Sequence, residues 1–320
     1  MVSNGPRAPK ARAGGVPSPA SARPNGTKNP SMKILSDFDG VWTDQAGEAR
    51  FINQWFVTEA ARDLGIPEER AREEFDGFLD ATHRAPESNG WWPRGYLTAF
   101  VDEDELLATG AVCRFLDDGG EAPGADRWRA GIARLGHASA HDYGSGLFGP
   151  AMRTDLDDHG HALVDGARAL CERILGAGVE LVIVSNSPTA KLRRLFADAG
   201  VEEGGLLRFV GDARKWWIEG PEPREEFAGR AVHLDRPFYR EILAQERPDV
   251  VIGDVASLDL ATPAAMRRAG ELPLSIRLLL RQGEGAAPWA VDQVHLPREE
   301  RLVDACVPSV LRLADELPSG

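Results

Sequence analysis

Six short apolar runs, spaced between residues 33 and 296 and separated by stretches of helical periodicity, constrain the fold more than any other feature of the chain. They are "KILSDF" (33–38), "VELVIVS" (179–185), "LLRFVG" (206–211), "DVVIGD" (249–254), "LSIRLLL" (274–280) and "AVDQVHL" (290–296). Segments such as "HALVDGARALCERILGAG" (161–178) and "SPTAKLRRLFADAG" (187–200) supply helices between them. Strands joined through helices pair in parallel, so the expected core is an α/β parallel sheet covered by helices.

Two regions break this rhythm. Residues 1–31 are mostly Pro, Gly, Ala, Ser and Arg with little to bury, which predicts a disordered tail. An organelle transit peptide is a weaker alternative, since the prolines and glycines oppose an amphipathic helix, and translation from Met32 is another. Residues 49–155 read as helices joined by Gly/Pro turns with no convincing buried strand, and predict a helical module inserted after the first strand. The sheet-forming core then comprises residues 32–48 and 156–320.

The tail carries five basic residues and no acid, which leaves 32 basic against 50 acidic residues in the rest. A body that acidic repels nucleic acid and anionic membrane surfaces. No apolar run spans a bilayer and the N-terminus lacks a secretory apolar core, so a cytoplasmic location is expected. Three scattered cysteines, Cys113, Cys171 and Cys306, form no CxxC pair and predict plain thiols. Oligomeric state is left open.

Ligands of open parallel sheets gather beyond the carboxyl ends of strands. There the first run ends on Asp37 and Asp39, the second on Ser185 and Asn186, and the fourth on Asp254, with Asp259 five residues later. Carboxylates about 4 Å apart repel by roughly 4 kcal/mol at an effective dielectric of 20. A divalent cation relieves that, and oxygen ligands favour Mg2+.

With "DFDGVWT", "LVIVS", "DRPFYREIL" and "VVIGDVASLD" in that order, the chain resembles the haloacid dehalogenase (HAD) superfamily of aspartate-nucleophile hydrolases over Met32 to Leu313. The resemblance implies a Rossmann-like, HAD-like core with an inserted helical cap that opens and closes over the site. It implies Asp37 as nucleophile, Asp39 as acid/base, and Ser185 and Asn186 on the phosphoryl group. It also implies magnesium held by Asp37, Asp39, Asp254 and Asp259. An acid at Asp39 separates phosphoryl transfer from dehalogenation, since a halide needs no proton. The implied activity is a phosphatase acting on a small phosphorylated metabolite. Alternatives are a phosphomutase and a non-catalytic HAD-fold binding or regulatory protein.

Some assignments stay open within that resemblance. Arg236, just before a helix, is favoured over Lys215 as the phosphate-binding cation, Lys215 being read otherwise as a solvated loop charge. The spacing from Asp254 to Asp259 is one residue longer than the commoner family spacing, which puts direct metal binding by Asp259 in doubt. A phosphonatase would need a cap lysine, and there is none between Asp44 and Met152. "THRAPESNGWWPRGY" (82–96) suggests packing tryptophans with substrate contact as an alternative, and His137 and His141 read as surface histidines rather than ligands.

Overall fold

The computed structural model describes residues 32–158, 162–221, 223–283 and 286–317; the expected tail lies outside the described residues. Six parallel strands form the central sheet: β1 (Lys33–Ser36), β2 (Glu180–Val184), β3 (Leu207–Val210), β4 (Val250–Gly253), β5 (Arg277–Arg281) and β6 (Ala305–Val307). Their order is β6-β5-β4-β1-β2-β3, which places β1 in the interior with Ile34 opposite Leu181 on one side and Val250 on the other. Ile34 joins Leu181, Ile183 and Leu279 in one core; its neighbour Leu35 joins Val182, Val251 and Leu278 in the other. Alternate side chains leave opposite faces of a strand, and both faces here are covered, so the runs are apolar throughout.

The sixth expected strand is a correction. Residues 290–296 fall in the short helix Pro288–Val291 and the 3-10 turn Asp292–His295, with Pro288 in the first helical turn and Trp289 and Ala290 buried. The edge position belongs instead to β6, three half-buried residues too short and too polar in context to signal a strand. The fifth strand begins at Arg277 rather than residue 274, and Leu274 is exposed. A hairpin of Arg224–Phe227 with Arg230–His233 was also not anticipated.

Besides the helix Ala167–Gly176 that leads into β2, five helices follow β1: α1 (Gln45–Leu64), α2 (Glu68–His83), α3 (Ala108–Asp117), α4 (Ala125–Arg134) and α5 (Ala140–Asp158). The first begins ahead of the expected boundary at residue 49. They enclose their own apolar cluster around Phe56, Phe75, Phe78, Trp128 and Tyr143. A two-residue antiparallel pair, Gly90–Trp91 with Ala99–Phe100, is a small departure from the all-helical expectation.

The loop after that pair ties the inserted helices to the sheet. Arg230 Nη2 donates to Asp102 Oδ2 at 2.7 Å while its guanidinium lies 5.1 Å from the Phe100 ring centroid and 5.2 Å from that of Trp289. Thr98 Oγ1 donates to the Trp216 carbonyl at 3.3 Å. Glu103 accepts from the Ser257 backbone N–H at 2.8 Å, from the Ser257 hydroxyl, and from the Phe100 N–H at 2.9 Å. Burial pushes the Glu103 carboxyl up to about 7 against the pull of these donors.

A carboxyl raised by folding binds protons more tightly in the folded state, so its contribution to stability falls as the pH climbs from its ordinary range through about 7. Glu103→Gln removes that dependence. Thermal melts from pH 5 to 8 are expected to show the variant gaining on the native chain by up to about 3 kcal/mol as pH rises; a constant difference would show that Glu103 does not titrate in this window.

Candidate active site

The turn after β1 is set by packing and by one glycine. Phe38, Val41 and Trp42 are buried, and Trp42 Nε1 donates to Ser36 Oγ at 2.8 Å, which fastens the turn beneath the sheet edge. The Asp37 N–H donates to the Ile252 carbonyl at 2.8 Å, so the carboxylate stands beside the end of β4. Gly40 has φ +73°, and a Cβ there would lie 1.9 Å from Asp254 Oδ2; only glycine lets the two strand ends approach this closely.

Beyond β4 the chain makes a π-helical turn over Ala256–Leu260. That wide turn absorbs the extra residue between Asp254 and Asp259 and brings Asp259 back under the strand end. Its Oδ2 accepts from the Val255 N–H at 3.1 Å, and a Cβ on Gly253 would lie 2.3 Å from Asp259 Cβ. Carboxylate oxygens of Asp37, Asp254 and Asp259 consequently fall within 4.8 Å of one another, the single such group among the described residues.

Lys215 is the cation at this centre. Its Nζ donates to Asp37 Oδ1 and, at 2.6 Å, to Asp259 Oδ1, and the residue is 2% exposed. The reading of Lys215 as a solvated charge is therefore overturned. Burial works against its proton, but the two carboxylates outweigh burial and hold it charged. Asp37 goes the other way: burial pushes it up to about 7, Lys215 opposes this, and Asp259 and Asp39 add to it. Asp254 is raised well above the carboxylate range by burial and by repulsion from Asp37, Asp259 and Asp104.

Arg236, favoured from sequence as the phosphate ligand, is fully buried with its guanidinium facing backbone. Nη1 donates to the Lys215 carbonyl, and Nη2 to the carbonyls of Thr98 and Ser257, each at 2.8 Å. It positions the lysine loop and does not line the cavity. The sequence offset from the following helix gave no indication of which way the side chain turns.

Asp39 lies on the opposite side of Asp37 from the other carboxylates. It accepts from Ser185 Oγ at 2.8 Å, Ser187 Oγ at 2.9 Å and Lys191 Nζ at 2.8 Å. Burial would raise its carboxyl, but Lys191 and the two hydroxyls hold it below the usual range. Its side chain lies outside the group formed by Asp37, Asp254 and Asp259. Asn186 Oδ1 accepts from the Lys215 N–H at 2.8 Å, linking the ends of β2 and β3.

Sequence reasoning missed Ser187 and Lys191. Both flank the start of the helix Thr189–Asp198, and a lysine in a first helical turn opposes the helix dipole, so it needs a local acid. That conflict was the available signal. His137 Nδ1 lies 3.1 Å from Asp142 Oδ2 and is in no group of three or more potential metal ligands among the described residues.

A cavity of about 560 Å³ opens above these groups, between the sheet edge and the inserted helices. From the insertion come Trp91, Asp104, Leu107, Cys113, Phe148 and Met152 among others. Burial pushes Asp104 up to about 7, with Glu48 and Asp259 adding repulsion. Trp92 instead packs over Arg114, and Arg94 over Trp217.

Lys215→Met leaves Asp37 and Asp259 buried without their shared cation. It is expected to cost about 3–5 kcal/mol in urea unfolding of the metal-free protein; a loss below about 1 kcal/mol would show that the carboxylates do not depend on it.

No protein-family model and no curated protein matches the chain. Among solved structures it is similar to the HAD-hydrolase YfnB of Bacillus subtilis bound to magnesium (14% identity, 89% of this chain and 98% of that one, TM-score 0.41). It is also similar to a 2-haloacid dehalogenase of Pseudomonas syringae pv. Tomato (15%, 89% and 96%, 0.39). A third is a HAD phosphatase of Thermococcus onnurineus (13%, 89% and 97%, 0.42). With TM-scores below 0.5, none of these likenesses assigns a role to a residue of this chain.

Proposed function

We propose that the protein is a magnesium-dependent phosphatase that hydrolyses a small phosphorylated metabolite through a phosphoryl group carried on Asp37. The observation that supports it is the meeting of Asp37, Asp254, Asp259 and Lys215 at the carboxyl edge of the sheet, beneath a cavity of metabolite size.

The donor set suits the metal. Three carboxylates face one lysine, all donors are oxygen, and the glycine at position 40 leaves room for Asp254 beside Asp37. Asp37, Asp254 and Asp259 would hold magnesium, which when bound supplies positive charge to the phosphoryl and nucleophile oxygens. The side chains do the rest. An Asp37 carboxylate oxygen attacks phosphorus, the new O–P bond forming as the bond to the leaving oxygen breaks. Lys215 neutralises Asp37 and the incoming phosphoryl charge.

Ser185, Ser187 and Lys191 now donate to Asp39, and they are the groups a phosphoryl oxygen would take over. That exchange frees Asp39 to carry a proton to the leaving oxygen and then to take one from the water that cleaves the Asp37–phosphorus linkage. The products are the alcohol and inorganic phosphate.

Release of p-nitrophenol from p-nitrophenyl phosphate is expected to need magnesium and to fall about a thousandfold or more in Asp37→Asn with the fold retained by circular dichroism. Activity that survives this substitution would sink the mechanism.

A further inference from the structure

We propose that the substrate is the monophosphate of an uncharged, apolar alcohol, with its organic group lodged in the cavity between α3, α5 and the turn at residues 104–107. This rests on the phosphatase reading above.

The first ground is the wall. Leu106 and Leu107 from the turn, Cys113 from α3, Phe148 and Met152 from α5, and Trp91 present carbon and sulfur to the cavity. Phe148 is 45% exposed, a large aromatic left in solvent at the rim of this cavity and positioned to be covered by an apolar ligand. The α3 and α5 wall is close-packed, since a Cβ on Gly144 would lie 2.6 Å from Cys113 Sγ, so the surface is a fixed one.

The second ground is charge. Among the lining residues the only strong cations are Lys191 and Lys215, and both sit on the sheet side, one on Asp39 and the other on Asp37 and Asp259. The insertion contributes Asp104 and Glu48 to the lining with His141, and no lysine or arginine. Asp104 is fixed in place, accepting from the Leu106 N–H at 2.8 Å and from Gln45 Nε2 at 2.9 Å. A second phosphate or a distal carboxylate would therefore meet an acid where a ligand for it needs a cation. An alkyl group gains instead from covering the leucine, phenylalanine, methionine and tryptophan surface of that wall.

Ester chemistry is held constant by comparing methyl phosphate, hexyl phosphate and 6-phosphooxyhexanoate, alkyl esters that differ in apolar length and in one distal charge. With the full chain and magnesium, kcat/KM is expected to be at least about tenfold higher for hexyl phosphate than for either of the others. Phe148→Ser should shrink the hexyl-to-methyl ratio, and Asp104→Asn, which keeps an acceptor for Leu106, should shrink the ratio of hexyl phosphate to 6-phosphooxyhexanoate. Hydrolysis with the carboxylate ester preferred, or ratios that neither variant moves, would overturn the inference while leaving the phosphatase reading intact. Calorimetric binding of hexylphosphonate against 6-phosphonohexanoate separates the opposite failure. Tight binding of the alkyl compound alone, with no ester turned over, keeps the apolar pocket and sinks the phosphatase reading.

Discussion

An ammonium group shared by two buried carboxylates is the interaction on which the rest of this structure depends. Three acids meet at one sheet edge because β1 and β4 are neighbours and each ends in aspartate. Without a cation among them, repulsion and desolvation would oppose the closing of the sheet at that point. Lys215 supplies one positive charge against the three acids, and the loop that carries it is held by Asn186 on one side and Arg236 on the other. The residual excess of negative charge lies where a divalent ion and a phosphoryl group would add opposite contributions.

The strand ends were legible from sequence because buried parallel strands are continuous apolar runs, and a carboxylate that closes such a run is conspicuous. Asp37 and Asp254 could be placed together on that basis. Sequence favoured Arg236 over Lys215; both precede apolar segments, and only the fold turns Lys215 inward to the carboxylates and Arg236 onto carbonyls. The edge strand at Ala305–Val307 was unreadable because an edge strand buries little and needs no long apolar run. The spacing of Asp259 put its direct metal role in doubt; the π turn brings its carboxylate beside those of Asp37 and Asp254.

Asp39 illustrates how neighbouring residues diverge in environment. Two positions apart in sequence, Asp37 and Asp39 have opposite titration behaviour, the first raised by burial among acids and the second lowered by Lys191 and two hydroxyls. The turn through Phe38 and Gly40 sends their side chains to different partners.

Arg236 binds one carbonyl from the inserted region, one from the lysine loop and one from the turn that carries Asp259. A buried guanidinium that loses an acceptor is costly, so these three segments cannot be exchanged independently. Recombination that grafted a foreign insertion onto this sheet would have to return a carbonyl to the place of Thr98, or loosen the lysine as well. Point replacements on α3 and α5, by contrast, leave all three carbonyls in place.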